Sequence, residues 1–374
     1  MNFKINRKKL IESLERVTRI IDHKSYIPSL HGLVIQVNVD NIFLVASNEN
    51  VSIKDTIENN QFDLNIKEVG NILIKGKFVL DILKKMDDEI VKFSNFEKNS
   101  VFITGKNNEF TLNILDYDDY PLIGFNRKGV EIIVNSNDLK KAINKTIISV
   151  NEYNQKIVLR GINLKLEQDK LFLFGTDNYR VSRNIIDLNE NSDSSLQANI
   201  PFKSALEVVK LINDFDEIKI VFNESTVSFV TKSTIFQTTL LEGKFPNVNA
   251  AFPKDFDTTI FAKTKDILHV IHRADIPNDE GKITVVNFVI DEKIITIKSS
   301  IKEIGNFSEK FTAFEIRGLD QQNISFNSKF LLDAIRAFET NQIEINLTDF
   351  RRPIVISSIE DPNLHQIVLP LSTN

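Results

Sequence analysis

Two histidines three residues apart, His269 and His272 in "HVIHRAD", stand beside Asp275. Side chains at that spacing share one face of a helix, and a metal ion could use them. Two stretches offer a second chemistry: "DYDDY" (116–120) and "DFDE" (214–217) hold paired carboxylates of the kind used in general acid/base work. Against both stand simpler readings. The histidines fall on an amphipathic basic helix, where surface exposure accounts for them. The carboxylates fall in turns between elements, where solvent accounts for them. "EGKF" (242–245) lacks the upstream glycine of a phosphate-cradling loop. The chain has no cysteine, which excludes disulfides, thiolate metal sites and cysteine nucleophiles together. The expectation is therefore no catalytic residue, no metal and no cofactor. A metal-dependent nuclease acting on duplex DNA is the enzymatic alternative.

The helix under His269 is one of six basic segments. Residues 6–24, 75–85, 138–148, 202–210, 263–273 and 328–336 are each net positive, and together carry +12. The chain as a whole carries −5, so the remainder holds −17. Positive charge is gathered on helices and negative charge on the strand-like runs. Six such helices on one side of the molecule would form a continuous basic surface for a polyanion of regular shape, and duplex nucleic acid fits best. Lysine and arginine scattered along helices reach phosphates and carry no base code. No recognition helix, zinc finger or aromatic-interleaved RNA signature is present. A repeat scaffold that binds only proteins is a second alternative.

The same segments recur at a fixed spacing. Leu10, Leu139 and Ile267 start corresponding apolar helix faces at offsets of 129 and 128 residues, and Leu80, Leu206 and Leu332 mark a second helix at offsets of 126. In the first helix the face runs through Leu10, Leu14, Val17 and Ile21; its equivalents use Leu139, Ile143 and Ile147, then Ile267, Val270 and Ile271. Between the helices lie alternating runs broken by Asn, Asp or Glu turns, such as "RGINLKLEQDKLFLFGTD". "LDYDDYPL" and "LEGKFPNV" close the first two units; their prolines, Pro121 and Pro246, lie 125 residues apart and end the last strand of each copy. The expected fold class is α+β: three repeats at 1–125, 126–251 and 252–374, each with two helices against antiparallel sheets. No run of apolar residues is long enough to span a membrane, and the N-terminal "MNFKINRKKL" has no apolar core of a signal peptide. A cytoplasmic protein is expected.

The threefold repeat, "TDNYRVSR" (176–183), "LEGKFPNV" and the closing "IVLPL" together resemble the bacterial DNA polymerase sliding clamp, the β subunit of polymerase III. The resemblance covers the whole chain in order and length. It implies three clamp-type domains per chain and a head-to-tail homodimer forming a six-domain ring. Helices line the hole and a continuous sheet forms the outside. The ring encircles duplex DNA without reading sequence, tethers the replicative polymerase, is opened by a clamp loader, and has no catalytic activity. It also implies a pocket between the second and third domains for short peptides of polymerase, loader and repair proteins. Carried onto this chain, the pocket wall is Leu159, Thr176, Asn178, Tyr179, Arg180, Val181, Pro246, Val368, Leu369, Pro370 and Leu371. Asn178 stands where the family often has glycine, and asparagine tolerates a left-handed turn. Ala250 and Ala251 stand where larger residues often line the pocket, and the tail continues as "STN". The DNA-facing residues expected are Lys24, Lys84, Lys85, Lys141, Lys145, Lys156, Lys203, Lys210, Arg273 and Arg336. The dimer edge is expected at Phe110 and Leu112 facing Ile276, with core packing in their own domains as the open alternative.

Overall fold

A computed structural model describes the chain except residues 60–62, 98, 126–127, 213–216, 254, 276–282, 303, 350 and 372–374. The fold comprises two compact units: Met1–Asn135 with Lys210–Leu240, and Ser136–Val209 with Leu241–Asn374.

Six helices form where the apolar spacing predicts them: α1 Arg7–Thr18, α2 Gly76–Lys85, α3 Ser136–Ile147, α4 Phe202–Leu211, α5 Thr264–Ala274 and α6 Ser328–Arg336. The expected faces are buried: Leu10, Leu14 and Val17 in α1, Leu139, Ile143 and Ile147 in α3, Ile267, Val270 and Ile271 in α5. Asn6 caps α1 by accepting from the Lys9 N–H, and Asn327 caps α6 by accepting from Lys329 and Phe330. α1 is shorter than its pattern. It ends at Thr18, whose hydroxyl donates to the Leu14 carbonyl (2.7 Å), so Ile21 falls in the turn that follows. α1 packs on α2 in the first unit, and α5 on α6 in the second.

The strands show that the repeat of sequence is not the unit of packing. In the first unit, an antiparallel sheet of eight strands runs Val130–Asn135, Glu217–Phe222, Thr226–Val230, Thr234–Thr239, Val51–Glu58, Asn41–Ser47, Leu33–Val37 and Gly70–Ile74. Its first four strands come from the second repeat and its last four from the first. They join where Phe236 pairs with Ile53. In the second unit, the long hairpin Gly161–Thr176 and Arg180–Pro201 joins strands of the third repeat through Leu364–Val368, with Val181 opposite Ile367. Two further sheets remain within single repeats. One has five strands and ends on Glu109–Asn113; the other has four and ends on Gly305–Phe311.

One buried ion pair fixes the first of these junctions. Asp55, on strand Val51–Glu58, has no exposed side-chain surface, and it accepts from Arg16 of α1 at 2.8 Å and from the Thr234 hydroxyl at 2.5 Å. Helix, first-repeat strand and second-repeat strand therefore meet on one carboxylate. Removing its charge leaves a mostly buried guanidinium uncompensated. Asp55→Asn is expected to destabilise the first unit by about 3 kcal/mol in urea unfolding; a loss under ~0.5 kcal/mol would show that the pair does not hold the junction.

Candidate functional site

The turn in "TDNYRVSR" is built by its own side chains. Asn178 has φ 79°, a left-handed conformation that asparagine adopts at little cost. The Thr176 hydroxyl accepts from the Asn178 N–H (3.2 Å) and donates to the Arg180 carbonyl (2.7 Å). Asp177 accepts from the N–H groups of Tyr179 (3.0 Å) and Arg180 (3.1 Å). The tail is tied to the same turn: the Leu369 N–H donates to the Tyr179 carbonyl (2.9 Å), and Leu371 N–H to Ser325 (2.8 Å).

Beside the turn lies an apolar cluster of Leu159, Phe174, Val181, Phe245, Val248, Val355 and Ile367, with Val158, Phe172 and Phe252 at its margin. Strand alternation places Phe172 and Phe174 together, since side chains two apart share a face, and the linker adds Phe245, Val248 and Phe252. Leu369, Pro370 and Leu371 are half-buried, and Pro246 is exposed. Two of the expected wall residues lie outside this cluster. Val368 is fully buried in the separate core beneath α5 and α6, and Ile367 takes its place in the cluster. Arg180 turns toward α6: it meets Asp177 at 3.0 Å and Asp333 at 2.8 Å, and its guanidinium lies 4.3 Å from the centre of the Phe330 ring. It is a brace behind the turn, with its charge balanced by two carboxylates. Tyr179, exposed, stacks on the same ring at 6.4 Å.

The cluster continues along the sheet into a group the sequence did not suggest. Arg183 and His365 are directly opposed on adjacent strands. The Arg183 guanidinium lies 4.1 Å from the centre of the Phe252 ring, and the His365 ring meets the same phenylalanine edge-on at 6.2 Å. Burial pushes the His365 imidazole down to about 4, with the Arg183 charge acting in the same direction. Burial lowers Arg183 as well.

Most of the residues expected to face DNA are exposed. Lys24, Lys84, Lys85, Lys141, Lys156, Lys203, Lys210 and Arg336 are all exposed. Lys84 meets Glu15 at 2.6 Å on the surface, a pair worth little. Lys145 differs: it is 14% exposed and bound to Asp361 at 2.7 Å, so it ties α3 to the turn before Leu364–Val368 and brings no free charge. Arg273 is exposed but forms two hydrogen bonds with Glu309, at 2.9 and 2.5 Å, which discount it as a cation. Phe110 and Leu112 sit half-buried on the edge strand Glu109–Asn113; Ile276 lies outside the described residues.

Models of the N-terminal, central and C-terminal domains of the DNA polymerase III beta subunit match residues 1–124, 133–247 and 249–372 in order. The beta sliding clamp of Mycoplasma capricolum is 39% identical over 370 residues, covering 99% of both chains. The chain belongs to the beta sliding clamp family. The Bacillus subtilis beta sliding clamp is 31% identical over the full length of both, and the crystal structure of the DNA polymerase sliding clamp from that organism superposes with a TM-score of 0.95 at 30% identity, covering all of each chain.

Set within the clamp family, the nuclease alternative finds no support. His269 and His272 are exposed side by side on α5, and the Asp275 carboxylate accepts from the Ser328 hydroxyl at 2.6 Å. Among the described residues no group of three or more His, Asp or Glu side chains could hold a metal ion. Asp116 accepts from the Asp118 N–H at 3.0 Å in an exposed turn; Asp214, Phe215 and Asp216 of "DFDE" lie outside the described residues. No helix is long and apolar enough to cross a membrane, among the residues described. The cluster members that sequence reasoning missed, Phe174, Phe245, Val248, Val355 and Ile367, carried one usable signal. Alternation from Leu369 points to Ile367, and from Val181 to Arg183.

His365 gives this region a pH signature. The unfolded chain takes up the imidazole proton near 6.5 and the folded chain only near 4. Stability from this group is therefore complete above about 6.5 and falls as pH drops toward 4. His365→Gln is expected to flatten that part of the stability profile when urea unfolding is compared at pH 7, 6 and 5; an unchanged slope would show that His365 is not buried neutral.

Proposed function

We propose that this protein is a DNA sliding clamp, a processivity factor without catalytic activity that acts in the cytoplasm. In this reading the chain forms three clamp domains at 1–125, 126–251 and 252–374. Two copies close head to tail through edge strands, with Phe110 and Leu112 on one side and the third domain, including Ile276, on the other. The ring holds duplex DNA through phosphate contacts from Lys24, Lys84, Lys85, Lys141, Lys156, Lys203, Lys210 and Arg336, with Arg273 contributing less and Lys145 withdrawn. A clamp loader opens it. The replicative polymerase and other partners dock by short apolar peptide motifs against Leu159, Val181, Ile367, Leu369 and Leu371, beside the Thr176–Arg180 turn and Pro246.

The observation that carries this reading is the ordered match of three clamp domain models along one chain, with 39% identity to a beta sliding clamp over 99% of both sequences. The physical logic agrees. A tether that must slide needs phosphate contacts without base specificity, and topological closure supplies the persistence that affinity would deny it. Aliphatic side chains with a few backbone-orienting groups suit apolar anchors of an extended peptide.

Loaded protein is expected to stay on nicked circular DNA through a high-salt wash and to run off the same DNA once it is linearised. Equal loss from both forms would refute enclosure. Leu369→Glu or Leu371→Glu is expected to weaken binding of a peptide with a Leu-Phe anchor by at least about tenfold, leaving the oligomer intact; unchanged affinity in both variants would move the pocket elsewhere.

A further inference from the structure

Five arginines among the described residues are buried or half-buried: Arg7, Arg16, Arg160, Arg180 and Arg183. Four of them have oxygen partners. Arg7 donates to the carbonyls of Asp88 and Leu83, Arg16 to Asp55, Arg160 to the Asn154 carbonyl, and Arg180 to Asp177 and Asp333. Arg183 has none: among the described residues its contact is the Phe252 ring, and its Nε is buried without an acceptor. Directly across the strand pair, His365 Nδ1 is likewise buried without a partner. The carboxylates nearest in the chain are engaged elsewhere. Asp361 is held by Lys145 at 2.7 Å; Asp187 is held by Lys170 at 3.5 Å and accepts from Asn363 at 3.3 Å.

A guanidinium taken partly out of water with no anion is costly, and a satisfied protein does not normally leave one. Its position says what it lacks. Phe252, which carries Arg183 on its face, also packs against the apolar cluster of Leu159, Val181 and Ile367. A planar, bidentate donor thus borders the apolar cluster on which the proposed peptide pocket is built. We propose that Arg183, seated on Phe252 beside His365, is a carboxylate-binding subsite of the partner pocket, so that this clamp selects peptides carrying an aspartate or glutamate near their apolar anchor. The inference rests on the peptide-pocket reading given above. It adds a charge preference that the apolar wall alone would not supply. The depressed basicity of both groups agrees with a site that lacks its anion.

The test uses the full-length protein and fluorescent ten-residue peptides with a Leu-Phe pair. Glutamate is placed one, two or three positions from the pair on either side, and each peptide has a glutamine analogue. On the unaltered clamp, the best-placed glutamate peptide is expected to bind about tenfold tighter than its glutamine analogue, the gain of a charge-assisted hydrogen bond. Arg183→Gln is expected to erase that difference while leaving the glutamine peptide within about twofold of its original affinity. Arg183→Lys, which keeps the charge and loses the fork, should retain part of it. Equal binding of glutamate and glutamine peptides at every placement overturns the subsite and leaves the apolar pocket standing. A preference that survives Arg183→Gln overturns the assignment to this residue. If no peptide of either kind binds, the pocket reading fails and the subsite falls with it. Should Arg183→Gln not fold, the glutamate–glutamine comparison on the unaltered protein and on Arg183→Lys decides alone.

Discussion

The backbone hydrogen-bonding capacity of strand edges is the constraint on which the rest of this structure depends. An unpaired edge offers a row of donors and acceptors to any passing strand. A chain made of three similar α+β repeats would present such edges at every boundary. Here two internal boundaries are removed by pairing across repeats: Thr234–Thr239 lies on Val51–Glu58, and Arg180–Asn184 lies on Leu364–Val368. The second repeat is divided between two sheets as a consequence. The Asp55–Arg16–Thr234 group belongs to the first of these seams, and the Thr176–Arg180 turn, with the tail bound to it, belongs to the second.

The candidate partner pocket follows from the second seam. Where strands of two repeats meet, Phe245, Val248 and Phe252 of the linker pack with Leu159, Val181 and Ile367 in one apolar cluster. Arg180 is paired with Asp177 and Asp333, whereas Arg183 has, among the described residues, only the Phe252 ring. Charge elsewhere obeys a different requirement. The lysines expected to face DNA are exposed apart from Lys145, which suits the phosphate contacts proposed for a sliding ring. Lys145 and Arg273 show where that pattern stops: each is committed to a neighbouring carboxylate.

Much of the fold was legible because it repeats. Three copies of one helix–hairpin–helix pattern let the spacing of Leu10, Leu139 and Ile267 be read against one another, and each proved to lie on a buried helix face. The turn at Asn178 was legible for the same physical reason that glycine is common in such turns. Sheet partnership was not. Local alternation says that a strand exists and which side is apolar, but not which strand will lie beside it. Hence no local pattern shows that Val368 enters the core beneath α5 and α6 while Ile367 joins the apolar cluster, or that Arg180 pairs with Asp333. Likewise, no local pattern shows that Lys145 would find Asp361, 216 residues away. Arg183 and His365 carried no signal apart from their two-residue spacing from Val181 and Ile367.

Among the sheet edges left after the internal seams are closed are Glu109–Asn113 in one unit and Gly305–Phe311 in the other. The account requires a second copy of the chain to cover them, because a ring has no ends. The most direct measurement is therefore the mass of the purified protein by sedimentation equilibrium at micromolar concentration. A dimer, at twice 42.8 kDa, is the predicted result. A stable monomer under those conditions would contradict the ring and the enclosure of DNA that rests on it.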